Sequence, residues 1–114
     1  MAYSIEQFHT LNKPETIVVT QHSRKRFAER GIKLADVCEA INTGTIIEDY
    51  PNDFPHPSCL ILGRSREMSL HICANLNNGL ISHDLPKIRQ LGKVDIPDPE
   101  KWEADLKTRK EEAK

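Results

Sequence analysis

No stretch of this chain is apolar for long enough to span a membrane as a helix. The first twenty residues include Glu6, His9, Lys13 and Glu15 and hold no apolar run of signal-peptide length. Cysteine is scarce. Cys38, Cys59 and Cys73 are too few and too widely spaced for a disulfide framework, no Cys-x-x-Cys occurs, and an odd count suits a reducing compartment. These absences predict a soluble, cytoplasmic protein. Internal repeats and low-complexity linkers are also missing, so 114 residues read as one domain with one modest core. Nor is there an excess of charge: 16 basic side chains stand against 17 acidic ones, for a net charge of −1. That total removes any global signature of nucleic-acid binding, but it can hide a local basic patch.

The charge is in fact uneven. Between Thr20 and Gly31, Arg24, Lys25, Arg26 and Arg30 against Glu29 give +3, whereas Glu48, Asp49 and Asp53 give −3 between Thr45 and Pro57. Within the basic run, His22, Arg26 and Arg30 recur at i, i+4 and i+8, which on a helix makes one slowly rotating stripe. Gly31 follows, a residue free to adopt positive φ and end the helix. The stripe suits a phosphate, because imidazole moves a proton near neutral pH and guanidinium grips phosphate oxygens in bidentate fashion. The simpler reading is a solvated basic face, with Glu29 paired to a neighbouring arginine and His22 helping to start the helix.

Apolar spacing predicts the other elements. Ser4–Leu11 reads as a short helix capped by Ser4, with Ile5, Phe8 and Leu11 on one face. Thr16–Val19 is extended and leads into a helix over His22–Arg30. Leu34, Val37, Cys38 and Ile41 lie at helical spacing over Leu34–Thr43, closed by Gly44, with Cys38 a small buried apolar residue. Thr45–Tyr50 reads as a strand, and the proline-rich loop after it should be stiff. Ser58–Gly63 and Met68–Leu76 form a hairpin. Placing Leu60 and Leu62 on the same face as Leu70, Ile72 and Ala74, toward the helices, pairs Leu60 with Ile72 and Cys59 with Cys73. His71 then lies on the opposite face. Asn78-Gly79 is a hairpin turn signal, with a strand beginning at Leu80–Ser82. His83–Val94 has no steady period and reads as a loop holding one helical turn. Asp98, Pro99 and Glu100 start a final helix carrying Trp102 and Leu106, with Trp102 as its core anchor. The fold class is therefore α+β: N-terminal helices on an antiparallel β-sheet of about four strands, with a C-terminal helix. Residues 1–106 make the domain, and 107–114 a charged tail that should fray.

His22-x-x-x-Arg26-x-x-x-Arg30-Gly31-Ile32 is followed in order by four further segments. They are Gly44-x-Ile46-Ile47-Glu48-x-Tyr50-Pro51, Pro57-Ser58-Cys59-Leu60-x-Leu62-Gly63 with Leu70-His71-Ile72, and Pro97-Asp98-Pro99-Glu100-x-Trp102. This ordered set resembles a small bacterial family known as a domain of unknown function, itself a remote relative of the RelE-like toxin superfamily. The resemblance implies a toxin–antitoxin setting and a metal-independent endoribonuclease that needs no cofactor. RNA or the ribosome would be its target, and a protein antitoxin its partner. It implies His22 as general base or acid, Arg26 and Arg30 as the phosphate clamp, and His71 as a second proton-transfer group.

Other readings compete. His22, His71, His83 and the three cysteines could ligate a metal, but no pair has the short spacing of a structural zinc site. A non-catalytic module could use the same stripe to hold RNA or an acidic protein segment. His71 could equally be a half-buried strand histidine with a satisfied hydrogen bond.

Overall fold

The computed structural model describes residues 4–10, 17–18, 21–52, 57–77 and 87–109, with the backbone alone at 18, 21–23, 76–77, 87–93 and 95. Three helices, α1 (Ile5–Thr10), α2 (Gln21–Arg30) and α3 (Leu34–Thr43), combine with strands β1 (Ile17–Val18), β2 (Thr45–Tyr50), β3 (Ser58–Ser65), β4 (Met68–Asn77) and β5 (Lys87–Asp95). The sheet order is β1-β5-β4-β3-β2. β2 through β5 pair antiparallel with their neighbours, and the two-residue β1 adds in parallel at β5. The molecule is thus α+β, with its helices on one face of a largely antiparallel sheet.

The helices form where apolar spacing placed them. α2 ends in a Schellman closure: Gly31 takes φ +67, and the Ile32 N–H bonds the Phe27 carbonyl at 2.9 Å. α3 has no Ser or Thr cap. Instead the Asp36 carboxylate at its third position accepts from the Lys33 N–H at 2.9 Å. Asp36 also receives Ser65 at 2.7 Å and the Arg66 Nη2 at 2.7 Å, which bonds the β3–β4 turn to the start of α3. Val37, Ala40 and Ile41 then face the sheet, joining Phe8, Phe27, Cys59, Ile61, Leu70, Ile72, Ala74 and Val94 in the main core.

The hairpin register corrects the expected one. Cys59 opposes Ala74, Leu60 opposes Cys73 and Ile61 opposes Ile72, one residue away from the expected pairing. The turn is the two-residue Arg66–Glu67, with Arg66 at φ 56 and Ser65 opposite Met68. Cys59, Ile61, Gly63 and Ser65 consequently face the helices, and Leu60 points away. Close packing enforces this choice. A Cβ on Gly63 would lie 1.7 Å from the Ala40 carbonyl oxygen, so only glycine lets α3 settle on β3 here.

Two further expectations are corrected. The segment read as a loop contains β5. Its ladder slips between Ile72 and Ala74 of β4, where Val94 and Gln90 are the respective partners, so three residues of β5 stand against Cys73 alone. The final helix does not form. Asp98 caps one turn, accepting from Glu100 N–H at 2.9 Å through Oδ1 and from Trp102 N–H at 3.1 Å through its carbonyl. Asp105 then takes the Lys107 and Thr108 N–H groups, and Leu106 adopts φ 60, which a helix cannot continue through. The Asn78-Gly79 turn and the strand expected at Leu80–Ser82 lie outside the described residues.

Candidate nucleic-acid interface

α2 presents charged side chains at the surface. Phe27 is buried in the helix-side core, which holds the helix on the sheet, while Arg24, Lys25, Glu29 and Arg30 are exposed and Arg26 is half-buried. Four cations against one carboxylate therefore lie on a ten-residue helix whose one buried side chain, among those described, is Phe27. His22 belongs to the first turn of α2, and its side chain lies outside the described residues. So do Asp53–His56 of the proline-rich loop after β2.

His71 is not brought to that stripe. It faces away from the helices, beside Cys73, on the opposite side of the sheet from Phe27. Its Nε2 donates to the Leu106 carbonyl at 2.8 Å, and its ring meets Trp102 edge-on with centroids 4.4 Å apart. A buried strand histidine with a satisfied hydrogen bond is what this geometry amounts to.

Around His71 lies a cluster that spacing in the sequence did not single out. The slip in the β2–β3 ladder between Ile46 and Glu48 puts Glu48 opposite Leu60 and Tyr50 opposite Ser58, so both project on the face away from the helices. Arg109 binds Glu48 through Nε at 2.8 Å and through Nη2 at 2.9 Å, and it lies 4.6 Å over the Trp102 ring. Tyr50 donates its hydroxyl to Glu48. Arg109 and, more weakly, Tyr50 hold the Glu48 carboxyl below its usual range against the opposing effect of burial. Burial and the adjacent carboxylate push the Tyr50 phenol up to about 12. The tail expected to fray is thus bonded at Arg109. Trp102 packs on Leu60 and Cys73, with Ile47, Tyr50 and Leu106 at the margins, as the core anchor its spacing implied. The one available signal was Glu48 and Tyr50 at i and i+2; nothing in the sequence tied Arg109 to them across 61 residues.

Cys59 and Cys73 do not oppose one another, lie on different faces of the sheet and form no disulfide. Among the described residues no group of three His, Cys, Asp or Glu side chains could hold a metal ion. Among the same residues no helix is long and apolar enough to cross a membrane.

A family model described as a domain of unknown function, DUF4258, matches residues 19–79, from just before α2 to just beyond β4. No curated protein and no solved structure matches the chain.

Proposed function

We propose that this chain, which belongs to the DUF4258 family of domains of unknown function, is a toxin-like RNA-interacting protein. Its phosphate-binding element is the exposed basic face of α2. The observation that carries this reading is the placement of Arg24, Lys25 and Arg30 at the surface of a helix whose only buried described side chain is Phe27. Such a face attracts a polyanion and releases its counterions. The RelE-like resemblance of the motifs and the helices-on-sheet order agree with RNA, or RNA on the ribosome, as that polyanion, and with a protein antitoxin as partner.

The reaction assigned to it is cleavage by the RNA's own 2′-hydroxyl. The 2′-oxygen bonds to the adjacent phosphorus and gives up its proton, and the bond from phosphorus to the 5′-oxygen breaks. A cyclic phosphate and a 5′-hydroxyl remain, the latter having gained a proton. His22 carries one of these proton transfers, water the other, and Arg26 and Arg30 neutralise the phosphorane. His71, on the far face, takes no part in this scheme. Incubation of the purified protein with cellular RNA and with translating ribosomes, in the presence of a chelator, tests it. Cleavage should fall by roughly 10²–10⁴ in His22→Ala while binding is kept. Binding without cleavage would leave α2 as the interface of a non-catalytic RNA-binding module.

A further inference from the structure

Between Asp98 and Thr108 the backbone-to-backbone hydrogen bonds run within the segment itself. Lys101 and Trp102 donate to the Asp98 carbonyl, Glu103 N–H donates to Thr108 O at 2.8 Å, and Leu106 N–H donates to Glu103 O at 2.9 Å. Trp102 and Arg109 close the loop as an isolated bridge, and Asp105 gathers the Lys107 and Thr108 N–H groups inside it. Residues 102–109 therefore hold their shape without a ladder to the sheet. The loop docks through the Trp102 ring on Leu60, Cys73 and, edge-on, His71, through the Leu106 carbonyl on His71 Nε2, and through the Arg109 guanidinium on Glu48. The last two are polar, and the Arg109 contact is open to water, its side chain being 56% exposed. The docked form also keeps Leu106, a non-glycine residue, at φ 60. What lies beneath is not simply hydrocarbon. It is a carboxylate, a phenol and an imidazole on one face of two strands, Glu48, Tyr50 and His71.

We propose that residues 102–109 are a releasable strap that holds shut a second polar site, formed by Glu48, Tyr50 and His71, on the face of the sheet away from α2. In the docked state the strap occupies the hydrogen-bonding groups of that site with its own guanidinium and carbonyl. On release the carboxylate, phenol and imidazole become open to solvent together, while the helix-side core is untouched. Screening of the Arg109–Glu48 pair favours release, because that pair faces solvent.

The test is carbethoxylation of His71 by diethyl pyrocarbonate in the full-length protein, followed on the peptide that carries it. Far-UV circular dichroism and the cooperativity of thermal unfolding check the fold. Trp102 is the chain's single tryptophan, so its emission reports docking directly. Arg109→Gln should raise the His71 labelling rate by about two- to fivefold, the weight of a partly exposed ion pair, and shift Trp102 emission to the red. Added salt should raise the rate in the parent protein and have less effect in Arg109→Gln. Trp102→Ala should raise labelling further with α1–α3 retained. Labelling that stays at the parent rate in both variants, or rises only together with global unfolding, would show residues 102–109 to be a permanent part of the core and overturn the proposal.

Discussion

Arg66 reaches Asp36 at 2.7 Å, and this contact joins the turn of the β3–β4 hairpin to the first turn of α3. Burial alone would raise the Asp36 carboxyl, but Arg66, Ser65 and the Lys33 N–H outweigh it and hold the group at about 2, below its ordinary 3.8. A carboxyl depressed in the folded state stabilises the fold above its unfolded value and loses that contribution as pH falls through the folded one. Stability should therefore decline between about pH 4 and pH 2 by about 1–2 kcal/mol from this group, with the half-exposed Arg66 limiting the size. Denaturant melts across that range should show the decline in the parent protein and a flatter profile in Asp36→Asn. The same variant should cost about 2 kcal/mol at neutral pH, since it weakens a cap and a charged hydrogen-bond network.

Gly63 sets the register of the hairpin against α3. Its missing Cβ is what allows the Ala40 carbonyl to approach, and nothing at that contact is the end of a flexible side chain. Gly63→Ala should destabilise the protein by about 3 kcal/mol, at the upper end for overpacking because backbone must move. Chemical denaturation measures the loss. A cost below about 1 kcal/mol would mean that α3 does not rest on β3 here.

Burial pushes the Cys59 thiol up to about 12, and the nearby Cys73 adds to the effect. At neutral pH Cys59 should resist iodoacetamide until the protein unfolds, whereas the half-buried Cys38 should react first. Mass spectrometry of the alkylated peptides over time distinguishes the order. Oxidation should yield no intramolecular Cys59–Cys73 disulfide in the folded protein.

How far these features could be read from the sequence depends on what fixes them. α3 was legible to its end residues, because Leu34, Val37, Cys38 and Ile41 follow helical period and Gly44 closes the run. α2 was legible through Gly31, whose positive φ ends it. The hairpin was legible as a hairpin but one residue out of register. Alternation of Leu60 and Leu62 misled because both faces of this sheet are covered, so apolar residues mark neither face. The small residues Gly63 and Ser65 decide the register through backbone approach to Ala40 and a bond to Asp36. β5 was hidden because its apolar residues Ile88, Leu91 and Val94 are spaced by three and do not alternate, and its ladder is interrupted between Ile72 and Ala74 of β4. The C-terminal helix was predicted from a sound cap at Asp98, but Asp105 three residues beyond Trp102 ends the segment locally. For the site, the helix that carries Arg26 and Arg30 was legible as a helix. The separation of His71 from it follows from sheet topology, which no spacing records.

The charge on α2 is the feature on which the functional reading stands. The most direct test is binding of fluorescently labelled single-stranded RNA, by anisotropy, as a function of salt. If Arg24 and Arg30 contact phosphates, affinity should fall steeply as salt rises, and the double variant Arg24→Gln/Arg30→Gln should bind more weakly. Its slope of log affinity against log salt should flatten by roughly 0.7 for each lost contact. An affinity that ignores salt, or a slope unchanged in the double variant, would contradict α2 as the RNA-binding element.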